Sequence, residues 1–159
     1  MNTLHDDVIG DLSYEYGWIK RYNIKFFGLP IDIQLTIPCD EGAAIENAQR
    51  SAFALFDANK DLYLQHAEVA IFNHYLDVCD ECRAQFGSEF ADKLAPIITT
   101  PGQIKPLVSP TQIIFQQSFT SGKRIVGLLF NCSWAPELGL AVKFIDELIV
   151  EVGPQDIVL

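Results

Sequence analysis

Cys79 and Cys82 are separated by two residues, the spacing of a thiol pair that exchanges disulfides or holds a metal. A redox pair of this kind opens a helix, where the dipole lowers a thiol pKa. Here the pair is expected near the end of a helix, beside Asp77, Asp80 and Glu81, and both features disfavour a thiolate. For zinc, His74 could join Cys79 and Cys82, with Cys39 or Cys132 as a fourth ligand. Only one such cysteine pair is present, and His74 and Cys79 would stand about 140° apart round a helix. A thiol- or metal-dependent enzyme built on Cys79, Cys82 and His74 is therefore the alternative reading. Asp57, Asn59, Asp61 and Glu68 mimic positions one, three, five and twelve of a calcium loop. Its sixth position must be Gly, and here it is Leu62, so a helix junction is expected instead. The three histidines suggest no nucleophile triad, and no Gly-x-Ser-x-Gly, His-Glu-x-x-His, GxGxxG or P-loop occurs. No catalytic residue, metal site or cofactor is assigned.

Acid is what the sequence has in excess. Twenty-one Asp and Glu face eleven Lys and Arg, a net charge of −10. Such a surface repels nucleic-acid phosphates and anionic lipid headgroups, so neither is expected as a partner. It attracts a basic protein and speeds its arrival. Asp77, Asp80, Glu81, Glu89 and Asp92 are offset locally only by Arg83 and Lys93. Asp77, Asp80 and Glu81 are taken as a docking patch for a basic partner. Trp134 follows an apolar strand and precedes Pro136, so it either packs on the sheet or, exposed beside Glu137, anchors the interface. Trp134 and Glu137 complete the partner-binding set.

The elements that must hold these residues follow from periodicity. Across 11–38 apolar residues alternate: Tyr14, Tyr16 and Trp18; Tyr22, Ile24 and Phe26; then Ile31, Ile33, Leu35 and Ile37. Phe27-Gly28-Leu29-Pro30 is the turn of a hairpin. The N-terminal end that holds His5 is expected to be loose. From Asp40 the period changes to three and four, predicting helices over 42–57 and 60–86 with a break at Asp57-Ala58-Asn59. Gly87 is expected to cap the second. Residues 87–110, with four prolines, read as a connection with a helical turn near 103–108. The segment 111–159 reads as a four-strand antiparallel meander. Strands, then helices, then strands indicate an α+β fold: an antiparallel sheet from an N-terminal hairpin and a C-terminal meander, with two central helices on one face. With 159 residues and 49% hydrophobic content, one domain with its own core is expected over 1–159. No secretory signal or membrane helix is read in it, and four scattered cysteines suggest a reduced, cytoplasmic protein.

Trp18, Phe26-Phe27-Gly28, Phe130-x-Cys132-x-Trp134, Gly139-Leu140-x-Val142 and Val150-Glu151-Val152-Gly153 form a spaced pattern. Together they resemble a family of small bacterial domains of unknown function that includes immunity-protein-like members. The resemblance implies an N-terminal hairpin, two helices and a C-terminal meander. It also implies a bacterial immunity-type protein that neutralises a basic protein toxin, a nuclease in the leading reading, by occlusion. A small-molecule-binding housekeeping domain is a further alternative.

Overall fold

The computed structural model describes residues 2–159. Eight strands form one sheet in sequence order: β1 (Thr3–Asp6), β2 (Gly10–Tyr14), β3 (Trp18–Phe26), β4 (Leu29–Ile37), β5 (Val108–Gln116), β6 (Ile125–Cys132), β7 (Leu140–Ile145) and β8 (Leu148–Gly153). Every neighbouring pair is antiparallel except β4 and β5, which run parallel from Gln34↔Gln112 to Thr36↔Ile114. Parallel neighbours need a long crossover, and α1 (Asn47–Ala58) and α2 (Lys60–Leu94) supply it. The expected hairpin and meander are thus corrected to one continuous mixed sheet.

Thr3–Asp6, His5 included, are not loose. They form β1 because Asp6 closes the β1–β2 turn. Its carboxylate accepts the N–H groups of Val8 at 2.9 Å and Ile9 at 3.0 Å, and Arg50 Nε at 2.7 Å. Burial alone would raise the Asp6 pKa; the Ile9 N–H, the Arg50 guanidinium and the Val8 N–H outweigh it and hold the carboxyl below its ordinary value. The resulting stability is present above the unfolded pKa and is lost as pH falls through the lower folded one. Asp6→Ala is expected to cost about 2 kcal/mol at neutral pH, and the deficit to shrink below about pH 4. Urea melts at pH 7 and pH 3 check this; an equal deficit at both would contradict it.

Alternation sorts the sheet's two faces. Tyr22, Ile24, Phe26, Ile33, Leu35, Phe115, Leu128, Phe130 and Phe144 are buried beneath the helices. Phe53 and Phe56 of α1 meet Phe115 edge-on at 5.6 and 6.0 Å between ring centroids, and Tyr63 of α2 meets Phe144 at 5.9 Å. Gln49 is fully buried on α1 and donates to the carbonyls of Pro38 (2.7 Å) and Phe115 (3.1 Å), tying the helix to two strands.

Helix boundaries differ from expectation for local reasons. α1 begins at Asn47 instead of 42 because Glu46 is extended (φ −69°, ψ 146°) and its N–H donates to Gln49 Oε1 at 2.9 Å. The break near Asp57-Ala58-Asn59 is present, with Asn59 outside both helices. The calcium-like residues have structural partners there: Asp57 accepts Tyr22 Oη at 2.8 Å, and Glu68 accepts the Phe27 N–H at 2.8 Å. Gly87 breaks α2 with φ 74°, but helix resumes to Leu94, so the connection expected from 87 is partly helical. Buried Ala91 and an Arg83–Asp92 ion pair of 2.8 Å hold the second leg against the first. The turn expected at 103–108 is a 3-10 helix, Pro101–Leu107, and a second one, Gln155–Val158, follows β8. No helix among the described residues is long and apolar enough to cross a membrane.

Candidate functional site

Residues 74, 78, 81, 82 and 85 recur at intervals of three and four, so His74, Val78, Glu81, Cys82 and Gln85 form one stripe along α2. Opposite stands the turn after β6, from Trp134 to Leu140. Between them, closed at one end by Gly153 and Pro154, lies an open groove of about 630 Å³.

The turn is held from beneath. The Ser133 N–H donates to Leu107 O at 2.8 Å, and its hydroxyl donates to Leu94 O at 2.7 Å. Trp134 packs its ring on Tyr75, 4.6 Å between centroids. Tyr75 is fully buried and donates its hydroxyl to Pro96 O at 2.6 Å. Trp134 is 5% exposed, so it forms groove floor and is not the projecting anchor that one sequence reading allowed. Side chains of Val78, Phe86, Pro136, Leu138 and Leu140 supply most of the remaining apolar lining.

Glu81 and Glu137 both line the groove, one from each wall, and both are exposed. The lining contains no Lys or Arg. Among the described residues neither carboxylate makes an ion pair or a side-chain hydrogen bond; the nearby Arg83 is spent on Asp92 and on Ala95 O at 2.9 Å. His74 is half-buried; burial lowers its pKa, with Asp77 pulling the other way. Glu81, Trp134 and Glu137 therefore meet at one place. Asp77 is exposed on the flank of the stripe, and Asp80 lies about 100° round the helix from Glu81, turned away from the groove.

The thiols do not converge. Cys82 lines the groove, whereas buried Cys79 faces the carbonyls of Ala95 and Pro96 at 3.9 and 3.7 Å. Cys39, at the end of β4, faces Asp40 O at 3.3 Å, and Cys132 faces Ala135 O at 3.6 Å. Among the described residues no group of three or more His, Cys, Asp and Glu stands together as a metal-holding cluster. Burial pushes the thiols of Cys39 and Cys82 up, and that of Cys132 to about 11. Titration with an aromatic disulfide at pH 7.5 is expected to find no thiol reacting at the rate of free cysteine. Half-buried Cys82 should react first, and all four only after denaturation. A fast-reacting Cys79 would contradict this geometry.

Part of the apolar lining was not marked by the sequence. Leu138, Phe86 and Pro154 carry no motif, and they meet only because the chain brings the turn after β6 against α2. A signal of a weaker kind existed in Leu138, a large apolar residue in a turn, which is 64% exposed.

Comparison with known proteins places the chain. The sequence pattern of a domain of unknown function, DUF6985, matches residues 8–159. The chain belongs to this family. The DUF6985 match runs from the β1–β2 turn to the last residue, so it includes both walls of the groove and the segment that closes it. No curated protein and no solved structure shows a match.

Proposed function

We propose that this DUF6985 chain is an immunity-type binding protein that seats a basic protein toxin, such as a nuclease, against the groove and neutralises it by occlusion. The observation that carries the reading is an apolar groove rimmed by Glu81 and Glu137 with no cation in its lining. Such a site favours a positive side chain flanked by apolar ones. The apolar floor supplies contact area, and the carboxylates supply orientation and sign. The net charge of −10 adds long-range attraction for the same partner. In this reading the acids stand in for the phosphates that a nuclease would otherwise engage.

Co-expression with the product of the neighbouring reading frame tests it. The chain is expected to restore growth that the neighbour alone prevents. A neighbour that is harmless, or that kills equally in the chain's presence, defeats the reading.

The groove's volume also lies in the range of small-molecule sites, roughly 300–1,000 Å³, which favours a small cation as the second reading. The two separate in a thermal-shift screen with apolar amines: a small-molecule site gives saturable stabilisation, and a protein-docking groove gives none.

A further inference from the structure

We propose that the C-terminal segment Gly153–Leu159 is a strap that fixes the groove's outer wall, with Gln155 as the positioning residue. This rests on the reading of the groove as the docking site. After β8 the strap turns back over the sheet face away from the helices, where Val158 and Ile157 cover Ile114, Leu129 and Ala141. The sheet has a place cut for it. A Cβ on Gly127 would lie 2.6 Å from Val158 Cβ, so any side chain there would push the strap off. Gln116 Nε2 also donates to Val158 O, at 3.1 Å.

The other end of the strap reaches the groove. Gly139 adopts φ +65°, and a Cβ there would lie 2.5 Å from Gln155 Cδ. Gln155 Nε2 donates to Phe130 O at 3.0 Å, and the Gln155 N–H donates to Leu138 O at 3.2 Å. The turn itself closes on the Gly139 N–H to Ala135 O bond of 2.9 Å. Glu137 and Leu138 are both exposed and have little else to fix them. The wall that presents Glu137 to the groove is thus braced by Gln155 from behind. Gly153 and Pro154, at the root of the strap, line the groove directly.

Amide hydrogen exchange on the full chain reads this without any partner. Gln155→Ala loses the side-chain bond to Phe130 O, and with it the anchor that holds the Gln155 N–H on Leu138 O; exchange of the amides from Ala135 to Leu140 is expected to rise about tenfold while β3 and β4 stay unchanged. Gln155→Met, which keeps the bulk and loses the donor, should raise the same amides less. Gly139→Ala should loosen the same turn both by displacing Gln155 and through its left-handed φ, so its effect should be smaller in the Gln155→Ala background, where only the backbone strain remains, than in wild type. Unchanged exchange, a uniform rise across the sheet, or full additivity of the two substitutions would overturn the proposal. A Lys-Leu-Lys-Leu-Lys peptide, titrated into wild type and Gln155→Ala, gives the second readout. Weaker binding to the variant supports the brace, and equal binding to both overturns it. Binding to neither, with the exchange result standing, removes the docking reading and leaves the strap in place.

Discussion

Reversing both rim carboxylates, Glu81→Lys with Glu137→Lys, is expected to weaken binding of the basic partner by about 100-fold or more. Facing like charges across a contact cost several kcal/mol, and 100-fold in affinity is only about 2.7 kcal/mol. The fold should survive, because both side chains are exposed and have no ion pair or side-chain hydrogen bond to lose among the described residues. Substitutions of that kind usually stay within about 0.5 kcal/mol. Asp80→Lys is the control. It makes half that change of charge on the same helix, turned away from the groove, and should change affinity only a few-fold at about 0.15 M salt, where screening is short-ranged. Calorimetric titration of the three proteins separates the cases. If Asp80→Lys is as harmful as the double variant, the attraction belongs to net charge and the groove has no special part in it.

Removing Tyr75 is expected to have the largest effect on stability. Its side chain is fully buried, supports the Trp134 ring and closes a hydrogen bond to Pro96 O. Tyr75→Ala should cost about 3–5 kcal/mol, the usual range for deleting a buried aromatic ring. Tyr75→Phe keeps the ring and leaves the Pro96 carbonyl short of a donor, at about 1–2 kcal/mol. The consequence for function follows from position. With Tyr75 truncated, Trp134 loses its support, and partner binding should fall even at temperatures where the chain is still folded. Chemical denaturation with tryptophan fluorescence measures the stability, and the same measurement in a Trp18→Phe background isolates the Trp134 environment. A Tyr75→Ala protein with near-normal stability would mean that the helix and the turn after β6 are held by something else.

What the sequence makes legible here is local. The alternation in β3 and β4, the break at Asn59 and the last three strands follow from period and turn residues alone. The parallel β4–β5 pairing is different. It depends on where the helical crossover returns the chain, and neither strand carries a mark of its neighbour. β1 was hidden for another reason: its stability comes from Asp6 meeting Arg50, forty-four residues on. The residues of the proposed docking groove divide in the same way. Glu81 could be placed on a helix from its spacing, but its approach to Glu137 is made by folding. The acid run does not share one face: Asp80 lies about 100° round the helix from Glu81, and Asp92 spends its charge on Arg83. Gly139 and Gly127 could be flagged as close-approach glycines, yet only the strap shows what approaches them.

We propose that a basic protein docks at the acid-rimmed groove between α2 and the turn after β6. Hydrogen-exchange footprinting of the complex with the basic protein that co-expression identifies tests it most directly. Protection is expected on the amides of 78–86 and 134–140, with the polar outer face of β3 and β4 unaffected. A footprint confined to that outer face, or no protection at either groove wall, would contradict it.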